Sequence, residues 1–275
     1  MNHNQALSNE EIQRYAPSVF AGQPYNRTSD KYTFVSTSRV IEGMRDAGYV
    51  PVAVQQQRSR IEGKYAFAKH SLRFRSIADL TRNVTVGDSF AEAILINSHD
   101  GSSTYSLSLG LFRLVCSNGM TVSDALFESF KVRHIGDIIQ NVIEGTRRVF
   151  AAAPLALAAV EQWGRIDLMQ SERLALAEAA HSLRFPVNPE TNNPTTEVTP
   201  AMLLNPRRYQ DEKSDLWSTF NVIQENATKG VRQYVGRQRV TSRAVKGIDG
   251  DAKLNKALWT LGQRMAEIKG QSAGK

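Results

Sequence analysis

Residues 94–122 read ILINSHDGSSTYSLSLGLFRLVCSNGMTV, and this stretch predicts the centre of the fold. Two apolar runs of strand length are separated by a polar turn that contains Asp100-Gly101, and the second run ends at Asn118-Gly119. These dipeptides supply the positive φ angles that tight turns require. The stretch therefore predicts two paired β-strands joined by a turn.

The period of the apolar residues changes along the rest of the chain. Further strand-like patterns lie at residues 49–54, 65–74, 84–86 and 125–134. A short amphipathic helix is expected between Ser36 and Gly48, and from Ile135 the helical period dominates, with a break near Pro154. Strands followed by helices indicate an α+β fold: an antiparallel, sheet-rich N-terminal half, about residues 30–134, packed with a helical C-terminal half.

Proline, glycine and charge patterns divide the chain into four regions. They are an N-terminal arm (1–30), an α+β core (31–185), a Pro-rich linker (186–210) and C-terminal helices with a basic, glycine-punctuated hairpin (211–275). The arm carries Ser8 and Glu11 at the spacing of a helix capping box. Within the linker, a helical turn is expected at residues 199–204.

Composition and charge narrow the class of protein. A net charge of +7 and a pI near 9.6 favour a polyanionic partner, above all nucleic acid. We expect no membrane association, because the chain has no apolar run of transmembrane length and Met1–Gln5 does not begin a signal peptide. The lone cysteine, Cys116, cannot form an internal disulfide, which suits a reducing cytoplasm.

The first basic cluster lies between Arg58 and Arg75, where Glu62 is the single acid. If residues 65–75 form one strand, its basic and aromatic side chains share a face. Cations beside exposed rings suit single-stranded nucleic acid, because cations follow the phosphates while rings stack on bases. The alternative is a solvated sheet face whose rings pack under a helix. The candidate binding residues are Lys64, Tyr65, Phe67, Lys69, Arg73 and Arg75.

The second basic cluster lies between Lys229 and Lys246, which contains no acid. Three glycines punctuate it, and a tyrosine lies in its middle. This pattern predicts a hairpin that clamps a nucleic-acid strand; a disordered basic tail is the alternative. The candidate binding residues are Lys229, Arg232, Tyr234, Arg237, Arg239, Arg243 and Lys246. Arg147 and Arg148, or Lys131 and Arg133, would extend either cluster.

Catalytic candidates are few. Cys116 lies in an alternating strand, which predicts a buried, inert thiol. The spacings of His99, Asp100 and His134 match no metal-binding motif, and no phosphate-binding or dinucleotide-binding glycine loop is present. Asn97, His99 and Asp100 are interpreted as turn residues that bond to the local backbone. The sequence therefore predicts no enzyme activity, no cofactor and no metal.

Five segments carry a resemblance to a known family: NSHDG (97–101), GLFRLVCSNG (110–119), NVIQEN (221–226), RAVKGI (243–248) and LNKALW (254–259). On these segments the chain is similar, over about residues 20–270, to the phage- and plasmid-borne family called domain of unknown function 932. The family has no assigned function, so the resemblance transfers no catalytic residue. Its mobile-element setting implies DNA processing, recombination or antagonism of host defence.

Together these observations predict a non-enzymatic protein of the bacterial cytoplasm that binds, and anneals, single-stranded DNA for recombination. The DNA would lie in a basic groove between the strand-rich half and the C-terminal hairpin of a homo-oligomer. One alternative is a protein that antagonises a host defence or restriction system by binding a host protein. Another is a metal-dependent nuclease that uses His99, Asp100 and His134.

Overall fold

The α+β prediction is confirmed: the sheet lies in the N-terminal half of the chain and helices dominate the C-terminal half. The chain divides into two compact units, Met1–Leu157 and Ala158–Lys275. The structure, a computed structural model, describes residues 5–26, 34–59, 61, 63–81, 88–103, 105–113, 119–122, 130–131 and 137–273.

The first unit contains an antiparallel sheet in which the first five strands pair in chain order. The order is β1-β2-β3-β4-β5, and β6 pairs with β4. The strands are β1 (Tyr49–Gln56), β2 (His70–Ser76), β3 (Ser89–Asn97), β4 (Ser106–Arg113), β5 (Gly119–Val122) and β6 (Phe130–Lys131). The helices are α1 (Asn9–Tyr15), α2 (Thr37–Asp46), α3 (Ile77–Thr81) and α4 (Ile138–Ala151), with 3₁₀ turns at Pro17–Phe20 and Tyr65–Phe67.

The predicted central pair is β3 and β4, whose register runs from Ser89↔Arg113 to Ile96↔Ser106. Gly101 has a φ of +76° in the turn between them, as its place in the Asp-Gly pair predicts. The second turn dipeptide lies largely outside the described residues, because only Gly119 of Asn118-Gly119 is described. The predicted pair of strands and the first of its turns are therefore confirmed.

One face of the sheet supplies the core of the first unit. Alternation along each strand puts Leu95 on the same face as its cross-strand partner Leu107, and both are fully buried. Helix α2 packs on β1 and on α4, and α4 also packs on β3 and β4. The apolar stripe of α2 is buried, because helical spacing puts Val40, Ile41 and Met44 on one side.

The second unit is built around a helix that is buried along almost its whole length. Helix α7 runs from Leu216 to Lys229, and each residue from Leu216 to Thr228 is buried. It packs against α6, α8 and a 3₁₀ helix, Pro200–Leu204. The other elements are α5 (Ala153–Trp163), which contains the unit boundary, α6 (Gln170–Arg184), a 3₁₀ turn (Tyr209–Asp211), β7 (Arg232–Val235), β8 (Gln238–Thr241) and α8 (Ile248–Ala273).

Local predictions agree with the structure at several points. Ser8 and Glu11 form the expected capping box, in which the Glu11 amide donates to Ser8 Oγ and the Ser8 amide to Glu11 Oε2. The helical period breaks at Ala152, two residues before Pro154. The helical turn predicted at residues 199–204 is present. Of the strand predicted at residues 125–134, the structure describes only β6. No helix in the described ranges is long and apolar enough to cross a membrane.

Aromatic rings fill the core of the second unit and leave no room for a side chain at Gly262. Trp163 and Trp259 stack with centroids 4.4 Å apart, and Phe220 meets both rings edge-on. A Cβ atom at Gly262 would lie 2.5 Å from Trp163 Cη2. Because Trp163 is itself held by Trp259, the ring cannot retreat at low cost.

We therefore expect Gly262→Ala to lower the free energy of unfolding by about 1–3 kcal/mol, the usual cost of overpacking a core. Urea denaturation followed by tryptophan fluorescence measures it. The control is Gly270→Ala in the same helix, where a Cβ meets nothing within 4 Å. That change should be neutral or stabilising, by up to about 1 kcal/mol, because alanine favours helix more than glycine does. An unfolding midpoint for Gly262→Ala at or above that of the control would contradict the packing argument.

Candidate functional site

The first basic cluster does not form the solvent-facing strand that the sequence predicted. Tyr65–Phe67 is a 3₁₀ turn, and β2 begins only at His70. Lys69 is buried at 8 % exposure, and the Lys64 ammonium pairs with Asp100 at 3.2 Å. Tyr65 is 45 % exposed, whereas the ring of Phe67 packs at a tilt against the ring of Tyr25, with centroids 5.5 Å apart. The prediction of one shared, exposed face is therefore wrong for these residues.

Arg73 and Arg75 lie side by side on β2, but they face an acid within the sheet. Arg75 and Glu92 are both fully buried, and Arg75 donates to Glu92 Oε1 from Nε at 3.0 Å and from Nη2 at 2.5 Å. Arg73 Nε donates to Glu92 Oε2 at 2.5 Å. The guanidinium of Arg73 lies 3.4 Å from the ring centroid of Phe112, and that of Arg75 lies 3.7 Å from that of Phe90.

Arg73, Arg75 and Glu92 form a buried triad, and the cost of removing their charges from water accounts for its arrangement. A buried guanidinium is costly unless a carboxylate and hydrogen bonds compensate it, and here one carboxylate serves two guanidiniums. The aromatic faces add cation–π attraction. These two arginines therefore stabilise the sheet, and the surface cluster loses two of its predicted cations.

The cations that were expected to extend the clusters are scattered. Arg147 and Arg148 are exposed on α4, and Arg148 pairs with Glu144 one helical turn away at 3.2 Å. Lys131 is exposed on β6, and Arg133 lies outside the described residues. The described residues of the first unit thus show no continuous basic surface built from the predicted set.

The predicted turn residues divide into two kinds. Asp100 acts as a turn residue, because its Oδ1 accepts from the Ser102 amide at 2.9 Å. Asn97 and His99 do not satisfy local backbone with their side chains, so that part of the interpretation is wrong. They lie in a buried polar network that we call the Thr37 cluster: Ser18, Thr37, His70, Asn97, His99 and Tyr105.

The hydroxyl of Thr37 is the hub of that cluster. Its Oγ1 lies 3.0 Å from His70 Nε2, 3.1 Å from His99 Nε2 and 3.1 Å from Asn97 Nδ2. It also lies 3.0 Å from the Tyr105 hydroxyl. A hydroxyl donates once and accepts twice, so four neighbours exceed its capacity. The consistent assignment has Thr37 accept from Asn97 and from His99 and donate to His70 or Tyr105.

Both histidines of the cluster are neutral at physiological pH. Burial, with a smaller contribution from the neighbouring His99, lowers the pKa of His70 to about 3. Burial also lowers the pKa of His99 to about 4, against a smaller opposing effect of Asp100. The rings lie 5.3 Å apart, so a charge on one disfavours a charge on the other. Sequence reasoning missed Ser18, Thr37, His70 and Tyr105 as members, since only the fold brings them together.

Metal and nucleophile candidates receive no support from geometry. The described residues contain no group of three or more His, Cys, Asp or Glu side chains placed to hold a metal ion. Cys116 and His134 lie outside the described residues. The imidazoles of His70 and His99 are fully buried, so no surface ligand reaches them in this conformation.

The second basic cluster does form the predicted hairpin. Strands β7 and β8 pair antiparallel and are joined by Gly236-Arg237. Gly236 has a φ of +60° and Arg237 does not have a positive φ, the pattern of a type II′ hairpin turn. This tight turn fixes the register, which pairs Arg232 with Thr241 and Tyr234 with Arg239.

The register separates two faces of the hairpin. The inner face packs on its own unit: Val240 is 5 % exposed, and Gln233 Nε2 donates to the Met202 carbonyl at 2.7 Å. On the other face, which we call the outer face, paired residues share a side because alternation has a period of two. The outer face consists of Arg232, Tyr234, Arg239 and Thr241, and all four are exposed.

The outer face is cationic and aromatic. Tyr234 is 72 % exposed beside Arg239 on the neighbouring strand, and Arg237 projects from the turn. No carboxylate among the described residues pairs with these arginines. Lys229, Arg243 and Lys246, which flank the hairpin, are exposed as well. The structure thus keeps the predicted residues of the second cluster on the surface, and only these form a connected candidate site.

One family model matches most of this chain, across parts of both units. The family model described as domain of unknown function (DUF932) matches residues 24–259, which include both the central stretch and the hairpin. The chain is a member of the DUF932 family, as its sequence resemblance predicted.

Two relatives come from Escherichia coli strain K12: UPF0380 protein YafZ and UPF0380 protein YfjQ. Each is 38 % identical to this chain, in an alignment that covers 96 % of this chain and 93 % of the relative. No solved structure matches the chain. The names of the family and of these relatives state no activity.

Proposed function

We propose that this protein binds single-stranded DNA on the outer face of the β7–β8 hairpin, without chemistry of its own and without a cofactor. The observation that carries the proposal is the exposed Tyr234 ring between Arg232 and Arg239. Stacking of a base on a ring and attraction of phosphates to guanidiniums are the two interactions that bind single strands regardless of sequence. The net charge of +7 supports the same class of partner.

The geometry favours a single strand over a duplex. Cross-strand neighbours in a hairpin lie about 5 Å apart, so the Tyr234 ring and the Arg239 guanidinium can contact one nucleotide together. A stacked ring needs the face of an unpaired base, which a duplex hides within its own stack. Annealing by a homo-oligomer in the bacterial cytoplasm belongs to the proposal, and light scattering of the protein–oligonucleotide complex tests the oligomer.

Exposed tyrosine and arginine are also frequent in the centres of protein–protein interfaces. Antagonism of a host defence protein is therefore the second candidate function. It differs in a measurable way, because a protein partner would bind tightly while DNA affinity at physiological salt would be low. The outer-face variants described next test DNA binding and this second candidate function alike.

We expect oligothymidylate binding, measured by fluorescence anisotropy across a salt series, to depend on the outer face in two separable ways. Arg232→Gln with Arg239→Gln should reduce the slope of log affinity against log salt by about 1.4, since each phosphate contact on a single strand contributes about 0.7. Tyr234→Ala should weaken binding by about 1–3 kcal/mol and leave the slope almost unchanged, because stacking releases no counterions.

The control variant is Arg165→Gln, which removes an 82 % exposed arginine side chain that faces Glu161. It removes one positive charge, half of the change in the double hairpin variant, and should leave affinity and slope as in the wild type. Absence of wild-type binding at low salt would refute the proposal. If the control and the hairpin variants changed affinity and slope equally, the binding would be a nonspecific attraction of DNA to positive charge and not binding at the outer face.

A further inference from the structure

A cleft opens at the base of the hairpin. It has a volume of about 480 Å³ and lies where the end of α7 turns into β7. Pockets that bind small ligands have volumes of about 300–1,000 Å³, so this cleft is large enough for one nucleotide. No acidic side chain from the described part of the chain lines it. Its polar lining consists of Arg207, Lys229 and Arg232 with the amides of Asn205, Asn226 and Gln233.

Arg207 is held in place by neutral groups. Its Nε donates to Asn226 Oδ1 at 3.1 Å and its Nη2 donates to the Gly230 carbonyl at 2.5 Å. Asn226 is fixed in turn, because its Nδ2 donates to the carbonyls of Leu203 and Asn205. A guanidinium has five N–H donors, so Arg207 keeps donors that these two bonds do not use.

The neighbouring arginine shows what a structural guanidinium looks like in this unit. Arg208 bonds to Glu225 through two nitrogens at 2.9 Å each and reaches Asp211 at 3.2 Å. Arg207 has no carboxylate partner among the described residues. Two adjacent arginines are thus anchored, and only Arg208 is neutralised by the protein.

The turn at Gly230 brings the other two cations to the cleft. Gly230 has a φ of +84°, and a Cβ there would collide with the Ser242 carbonyl, so only glycine fits between Lys229 and Val231. Lys229 is exposed at the end of α7. Lys229 interacts electrostatically with Asp251: burial raises the pKa of that carboxyl, and the charge of Lys229 partly opposes the rise.

We infer that this cleft binds a backbone phosphate of the strand that the outer face holds. The inference rests on the proposed function and adds a second contact point to it. Arg232 connects the two places, because it lines the cleft and also lies two residues before Tyr234 on the same face of β7. That spacing, about 7 Å, suits a phosphate in the cleft and the adjoining base on the ring.

The chemistry of the lining fits a phosphate. A fixed guanidinium presents paired N–H groups that match phosphate oxygens, and an ammonium adds charge without directional demand. Asn205 donates to Gln233 Oε1, and Gln233 donates to Met202, so each side-chain amide retains one further N–H for a ligand oxygen. A phosphate would therefore meet donors on several sides of the cleft.

Two variants test the inference in the full-length protein with labelled oligothymidylate. Lys229→Gln should reduce the salt slope by about 0.7, because one phosphate contact is lost. Arg207→Lys keeps the charge but removes the paired donors, so it should weaken binding severalfold without changing the slope. Arg165→Gln remains the control. Thermal melting checks the fold, since Arg207 also donates to Gly230.

The outcomes separate the inference from the function on which it rests. If the wild type binds no oligonucleotide, the proposed function fails. If Tyr234→Ala weakens binding while Lys229→Gln and Arg207→Lys behave as Arg165→Gln does, the function stands and the cleft is not a phosphate site. A slope change in Lys229→Gln together with an unchanged slope in the weaker Arg207→Lys supports the cleft.

Discussion

Replacing Glu92 by glutamine should lower the free energy of unfolding by about 3–5 kcal/mol, the cost of leaving a buried ion without its partner. Glu92 and Arg75 are fully buried, and the side chain of Arg73 is only 17 % exposed. Glutamine has nearly the same shape, so the change removes the negative charge and leaves two guanidiniums facing a neutral amide. A domain has a total stability of about 5–15 kcal/mol, so this loss is a large share of it.

Urea denaturation of the purified protein measures the effect. The control is Glu144→Gln, which breaks the ion pair with Arg148 on the exposed side of α4 and should cost less than about 1 kcal/mol. A triple variant, Arg73→Met with Glu92→Leu and Arg75→Met, should be more stable than Glu92→Gln, because it removes the charges together. A Glu92→Gln protein as stable as the control would show that the triad is not coupled as described.

The triad also explains why part of the predicted site was wrong. Arg73 and Arg75 read as surface cations because charge and alternation in one strand do not reveal what faces them. Their partner, Glu92, lies on the next strand, and the register that pairs Arg73 with Ile94 decides the contact. A lone acid in the apolar run 90–96 was the available signal, since a buried carboxylate requires a cation nearby.

Features that depend only on residues close together in the sequence were predictable from it. The capping box at Ser8, the helix break before Pro154 and the hairpin turn at Gly236 each depend on a few adjacent residues. The α+β class followed from the change of period near residue 135. The Thr37 cluster was not predictable in this way, because it joins side chains from Ser18 to Tyr105 through the fold, and His99 had been interpreted as an ordinary turn residue.

The candidate site on the β7–β8 hairpin was predictable from the sequence only in part. Its charge and its tyrosine were visible in the sequence, but the separation of outer and inner faces required the register of β7 and β8. The cleft at its base was missed, because Arg207 comes from the region that had been interpreted as a linker. Burial of Met202, Leu203 and Leu204 anchors that region to the second unit and so positions Arg207.

Acidification from pH 7 to pH 5 should destabilise the protein by about 2 kcal/mol for each histidine of the Thr37 cluster. The sign follows from the pKa values: in the folded state they are about 3 for His70 and about 4 for His99, below the ordinary 6.5. The unfolded chain therefore binds protons first. The stability that these histidines contribute is complete above about pH 6.5 and is lost as the pH falls toward the folded values.

Urea midpoints measured between pH 7 and pH 5 give the slope, and His99→Gln isolates the part due to one ring. Because other groups titrate in the same range, the informative quantity is the difference between variant and wild type. His99→Gln should flatten the slope by up to one proton, about 1.4 kcal/mol per pH unit. His181→Gln serves as the control, since His181 is only partly buried and bonds to the Val198 carbonyl. Identical slopes for the wild type and His99→Gln would mean that His99 is not held neutral by burial.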